Sequence, residues 1–249
     1  MNYDAIRIVL VNTSHPGNIG GVARAMKTMC LSQLYLVAPA DFPHPKARAR
    51  ASGAVDVLGN AKVVDRLEDA LVDCRLVVGA SARSRSIAWP TQNPRQCASQ
   101  IIDTSSHGPV ALVFGREASG LTNAELERCN FLVNIPANPD YSSLNLATAV
   151  QVLAYEIHRT AVEQATASAP TEPYELKPEF APASADEMEG LYQHLEDTLV
   201  GLEFLDPANP RQLMRRLRRL FNRAQLDRME LNILRGILSA AQDMSKPGL

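Results

Sequence analysis

Phe131-Leu132-Val133-Asn134-Ile135-Pro136-Ala137-Asn138-Pro139-Asp140-Tyr141-Ser142-Ser143-Leu144-Asn145-Leu146 decides how this chain reads. An apolar β-rich run, Phe131–Ile135, ends at a proline. A short Asn/Pro loop follows, and a helix is expected over Ser143–Arg159 with Leu146, Ala149, Val150, Leu153 and Ile157 on one face. Hydroxyls and free backbone N–H groups at a helix start suit a polar or anionic ligand. Two junctions of the same kind lie upstream: His15-Pro16-Gly17-Asn18-Ile19-Gly20-Gly21-Val22-Ala23-Arg24 and Phe114-Gly115-Arg116-Glu117-Ala118-Ser119-Gly120-Leu121. Three such turns predict one composite site.

Outward from these turns, the first 160 residues alternate strand and helix patterns. Strands are expected at Ile6–Val11, Leu34–Val37, Ala61–Val64, Leu76–Ala80, Val110–Phe114 and Phe131–Ile135. They are short and almost wholly apolar, as parallel strands covered on both faces must be. Helices are expected at Gly20–Thr28, Leu67–Asp73, Pro94–Asp103 and Thr122–Arg128, the last opened by a Thr122/Glu125 capping box. The fold class is therefore α/β, a mostly parallel sheet with helices on both faces.

The character changes near Thr160. Residues 161–185 are rich in Ala, Ser, Thr, Pro and Glu and read as a linker. Residues 186–249 form a small C-terminal all-α domain, with helical patterns at Asp186–Leu202, Pro210–Ala224 and Asp227–Gln242. In the second of these, Leu213, Leu217, Leu220 and Phe221 share a sector opposite Arg211, Arg215, Arg216, Arg218, Arg219 and Arg223. The chain is nearly neutral overall, at −2. Its ends are not: residues 170–206 hold ten acids against one lysine, and residues 207–235 hold eight arginines against two acids. That asymmetry fits either a nucleic-acid face or helices that pair with each other.

Several classes are excluded. The glycines of the first turn miss the G-x-G-x-x-G spacing, and no acid follows the second strand until Asp41, so a Rossmann oxidoreductase is disfavoured. Cys30, Cys74, Cys97 and Cys129 form no C-x-x-C pair and read as reduced, buried thiols; no structural metal is expected. No run approaches the ~20 apolar residues of a membrane span and nothing resembles a signal peptide, so a cytoplasmic protein is expected. Arg83 and Arg85, in the basic loop after the fourth strand, are candidates for phosphate contact.

Taken in order, the three turns resemble the SPOUT superfamily of trefoil-knot RNA methyltransferases, in its ribose 2′-O-methylating branch. The likeness covers about residues 5–160, and the C-terminal helices resemble the extension of the tRNA-modifying members that act on the first nucleotide of the anticodon loop. The resemblance implies a deep knot near the second and third turns, a homodimer with sites near the subunit interface, tRNA as partner and S-adenosylmethionine as cofactor. It implies that Ala80, Ser81, Ala82, Gly115, Ile135, Ser142, Ser143 and Leu144 line the cofactor. It places Arg24, Asn18, Glu117, Ser143 and Asn145 in the catalytic set, with Arg24 either a general base or an electrostatic clamp. Arg215, Arg218 and Arg219 join Arg83 and Arg85 as expected RNA contacts. An rRNA substrate and a non-catalytic RNA-binding role remain the alternatives.

Overall fold

The computed structural model describes residues 2–82, 89–167 and 180–245. Among them, seven strands form one parallel sheet: β1 (Ile6–Val11), β2 (Gln33–Val37), β3 (Lys62–Val64), β4 (Leu76–Ala80), β5 (Thr91–Gln92), β6 (Val110–Phe114) and β7 (Phe131–Val133). Their spatial order is β3-β2-β1-β6-β4-β7-β5. All six pairings are parallel. β7 slots between β4 and β5, two strands already joined by residues 81–90. Leu132 N donates to Pro90 O, Asn134 N to Gln92 O, and Ser81 N to Val133 O.

Alternation along each strand divides the core into two layers. Ile6, Ile8 and Leu10 of β1 face one layer, with Leu76, Val78, Leu112 and Phe114. Against that face pack α1 (Pro16–Thr28), α2 (Pro45–Ala51), α3 (Val55–Gly59), α5 (Pro94–Ser105) and α7 (Leu146–Ala167). Val9, Val11, Val77, Ala111 and Val113 face the other layer, closed by α4 (Leu67–Leu71) and α6 (Asn123–Leu126). α2 and α3, between β2 and β3, have no counterpart in the sequence reading. α2 buries only Ala47 and Ala51, so no apolar stripe announces it. It fits because α1 presents Gly20 there; a Cβ at that position would fall on the Ala47 carbonyl.

Several boundaries move, among them the start of α1, which is Pro16 rather than Gly20 with His15 as its cap. α7 starts at Leu146, not Ser143, because Asn145 is its cap: Asn145 Oδ1 accepts from Ala147 N at 2.9 Å. The serine pair therefore stays in the loop. α7 also runs on to Ala167, so the first residues expected in the linker are helical. At the other end of that segment Ala183 is buried and bonded to Leu226 O, and Ser184 forms a capping box with Glu187.

The C-terminal helices are α8 (Ala185–Gly201), α9 (Leu213–Ala224) and α10 (Arg228–Ser245). Met188, Leu191, Tyr192 and Leu231 make their small core. α9 docks through parts of both sectors: Phe221 packs against this core, while Arg215 and Arg218 pair with acids. Leu220 is 46% exposed, while Asn222 is buried at 5%. Asn222 Nδ2 donates to Glu127 O and Cys129 O, and Tyr192 Oη donates to Asn222 Oδ1. Much of the surface α9 meets is carboxylates and carbonyls, which its asparagine and arginine side chains satisfy.

Candidate functional site

β4, β6 and β7 all end at the same edge of the sheet, where ligands of open α/β sheets gather. The loops that leave them enclose a cavity of ≈ 400 Å³. Ala80, Ser81 and Ala82 wall it after β4, Gly115 to Gly120 after β6, and Ile135 with Tyr141 to Asn145 after β7. Asn18 closes it from α1. Every residue expected to line a cofactor is in this wall, as are Asn18, Glu117, Ser143 and Asn145 of the expected catalytic set. Ser142 and Ser143 are exposed, with no helix backbone to cap.

The three loops are tied by hydrogen bonds rather than by packing alone. Glu117 Oε2 accepts from Ser14 N at 3.2 Å and Ser14 Oγ at 3.1 Å. Its Oε1 accepts from His15 N at 3.3 Å and Asn18 Nδ2 at 3.0 Å. Asn18 Oδ1 in turn accepts from Asn145 Nδ2 at 3.0 Å. One chain thus runs Glu117–Asn18–Asn145 across the second, first and third turns. The carboxylate also sits at the amino end of α1, where the helix dipole favours negative charge. Burial works to raise the Glu117 pKa, but the donors of Asn18, Ser14 and His15 outweigh it, and the carboxyl lies below its ordinary value.

The second turn is held open by contacts that the sequence did not announce. Arg116 does not pair with its neighbour Glu117. Its Nη1 donates to both carboxylate oxygens of Glu125 at 3.0 and 3.1 Å, and its Nη2 donates to Asn12 Oδ1. Gly115 allows the loop to fold back on itself; a Cβ there would fall on the Gly120 carbonyl and Leu121 N. The only local signal for this clamp was the Thr122/Glu125 box, which gives Glu125 a second partner.

Arg24 lies apart from the cavity wall. It is exposed on α1, and no hydrogen bond or ion pair holds its guanidinium among the described residues. Arg83 and Arg85 lie outside the described residues. Arg215 and Arg218 are spent inside the chain: Arg215 Nε donates to Glu127 at 2.5 Å, and Arg218 makes two bonds of 2.7 Å to Glu189. Arg218 also lies over the Tyr192 ring at 4.4 Å. Arg219 is half-buried, its Nε without a partner. Pairing of the arginine helix with acids, left open by the sequence, is what the structure contains for these two. Burial pushes the thiols of Cys74, Cys97 and Cys129 up to about 12, whereas Cys30 is exposed rather than buried as expected.

A second cavity, ≈ 370 Å³, lies at the opposite edge, between the strand starts and α8/α9. Its charges already satisfy each other, through Arg128 with Glu68 and Glu189 and through Arg218 with Glu189. Among the described residues no group of three or more His, Cys, Asp or Glu could hold a metal, and no helix is long and apolar enough to cross a membrane.

Residues 5–155 match the model of the SpoU rRNA Methylase family, and residues 186–248 match that of the tRNA methyltransferase TrmJ C-terminal domain. The tRNA (cytidine/uridine/adenosine-2′-O-)-methyltransferase TrmJ of Pseudomonas aeruginosa (strain UCBPP-PA14) is 54% identical over 98% of this chain and 96% of its own. The crystal structure of TrmJ from Z. mobilis ZM4 superposes with a TM-score of 0.79 at 34% identity, over 94% of this chain and 97% of that one. A structure described as giving insights into the 2-OH methylation of C/U34 on tRNA matches at a TM-score of 0.51 and 26% identity, over 64% of this chain and 97% of that one. With those matches along nearly its whole length, the chain belongs to the SpoU methylase family and carries the TrmJ C-terminal domain behind its α/β unit.

Proposed function

We propose that this protein methylates the ribose 2′-hydroxyl of cytidine or uridine at the first nucleotide of the tRNA anticodon loop, with S-adenosylmethionine as methyl donor. The observation that carries the reading is the single cavity into which all three turns converge, in a chain 54% identical to a named tRNA 2′-O-methyltransferase. The match of residues 186–248 to the TrmJ C-terminal domain favours tRNA over rRNA.

The cavity suits an adenosyl sulfonium. Its volume lies within the ~300–1,000 Å³ of small-molecule sites. Val133, Ile135, Leu144 and Ala149 offer apolar wall, while Ser81, Ser119 and Ser142 with loop backbone offer polar groups. Bound there, S-adenosylmethionine supplies an electrophilic methyl carbon. The chain's own residues must hold the sugar in line with it and accept the hydroxyl proton. Glu117 is poorly placed to be that acceptor: four donors already occupy its oxygens, and its pKa is depressed. It acts instead as a positioning residue, fixing Asn18 and through it Asn145. Ser143, exposed at the cavity mouth, is free to meet the ribose.

Arg24, unpaired and outside the wall, is available to an RNA strand laid across α1, as clamp on phosphate or developing oxyanion. A guanidinium, with a pKa above ~12, is a poor proton acceptor, which favours the clamp. A site completed at a dimer interface accounts for why Arg24 stands apart in a single chain. Threading of the segment before α7 through the β4–β5 connection, a trefoil knot, accounts for β7 lying between them. The exposed Arg216 and Arg223 of α9, with Arg211 just before it, are left free for tRNA phosphates, among the described residues. The test is direct: unmodified tRNA is incubated with the protein and S-adenosylmethionine, and ribose methylation is mapped. Methylation at the first nucleotide of the anticodon loop is expected; methylation of rRNA alone, or none, would reject the assignment.

A further inference from the structure

We propose that Lys46 and Arg50 of α2 form a phosphate-binding ridge for the RNA strand flanking the target nucleotide. The inference rests on the reading of the site as an RNA methyltransferase. α2 lies tight against the start of α1: a Cβ at Gly20 would stand 2.9 Å from Arg50 Cβ, and one at Gly17 3.8 Å from Arg50 Cγ. The Arg50 stem therefore runs over Gly17, the residue before Asn18. Lys46 is one turn earlier on the same stripe of α2. Both are exposed, and neither has an ion-pair partner among the described residues.

The surrounding charges leave this pair uncompensated. Asp41 lies 3.5 Å from His44, Asp56 is taken by Lys27 at 2.8 Å, and Glu117 is filled by its four donors. With Arg24 on α1, the two cations flank the site edge where Asn18 stands. A phosphodiester backbone matches such a row: it is anionic at every nucleotide, and the contacts need no base identity. Arg48, on the same short helix, lies roughly 160° around the axis from Lys46 and is turned away from this row.

The test compares the parent protein with K46Q/R50Q and with R48Q, all as full-length chains. tRNA binding is measured over a salt series, with S-adenosylmethionine affinity as control. K46Q/R50Q should weaken tRNA binding about tenfold and lower the slope of log K against log salt by about 1.4–1.8, two phosphate contacts' worth. R48Q should do much less, and cofactor affinity should not move. Equal losses in R48Q and K46Q/R50Q would overturn the ridge in favour of diffuse charge. A changed oligomeric state in sedimentation with unchanged tRNA binding would overturn it in favour of a protein contact. Should K46Q/R50Q fail to fold, amine acetylation of the parent decides: tRNA should protect Lys46 and spare Lys62 at the sheet edge, and equal labelling of Lys46 with and without tRNA overturns the ridge. Methylation of tRNA by the parent with unaltered binding in K46Q/R50Q sinks the ridge alone; no tRNA methylation by the parent sinks the site reading and the ridge with it.

Discussion

Replacing Glu117 with glutamine removes one charge and alters little else. In the parent, four donors from Ser14, His15 and Asn18 converge on the carboxylate. The amide keeps one acceptor oxygen and turns an NH2 toward N–H groups. Hydrogen bonds to a charged acceptor contribute roughly 1.5–3 kcal/mol each when shielded. The carboxylate is only half-buried, and screening by water reduces the total to about 2 kcal/mol. For a chain of this size that is a fall in Tm of about 4–8 °C. The pH dependence identifies the cause. A carboxyl with a depressed folded pKa stabilises fully above its unfolded value, ~4.3, and loses that contribution as pH falls through the folded value. The Tm gap between parent and Glu117→Gln should therefore be constant from pH 7 to about 5 and close below about 4. Calorimetric melts from pH 3 to 7 measure it. A gap that persists unchanged at pH 3 would mean that shape, not charge, sets the effect, and the account of Glu117 as an anionic clasp would be wrong.

Gly115→Ala should sharply weaken S-adenosylmethionine binding by calorimetry and destabilise the fold by about 1–3 kcal/mol, because the new Cβ meets Gly120 and Leu121 backbone that cannot rotate away. Arg24→Ala should abolish incorporation of labelled methyl from S-adenosylmethionine into tRNA while cofactor affinity stays near parental; Arg24→Lys should recover little, since lysine lacks the bidentate fork. Asn222→Leu strands the Glu127 and Cys129 carbonyls and the Tyr192 hydroxyl at a cost of about 2–4 kcal/mol, so hydrogen exchange should rise across α9. With the thiols of Cys74, Cys97 and Cys129 raised to about 12, a disulfide reagent at pH 8 should modify Cys30 rapidly and the other three only on unfolding.

The central strands were legible because they are buried on both faces, whereas the two-residue edge strand β5 was not. Ile6–Val11, Leu76–Ala80 and Val110–Phe114 begin and end where their apolar runs do. The cofactor wall was legible because glycine and serine at strand ends have few other uses, and its residues do share one cavity. α2 was not legible: its buried side is two alanines, and small residues signal nothing until the glycine opposite is known. The start of α7 was misread because serine and asparagine cap helices equally well, and only the Asn145–Ala147 bond separates them. The docking of α9 was not legible because a helical wheel ranks faces by hydropathy, whereas docking also followed the polar groups present around Glu127 and Glu189.

By itself the sequence determined the layer architecture, the place of the three turns and the residue types gathered there. Those follow from short-range rules: strand burial, helix periodicity and the backbone freedom of glycine. The tertiary structure alone decided that β7 enters between β4 and β5, that Glu117 reaches Asn18 rather than Arg116, and that α9 turns Arg215 and Arg218 onto Glu127 and Glu189. Each of those depends on a partner about 30 to 100 residues away, and no local pattern encodes which distant group will be there to satisfy a charge or an N–H.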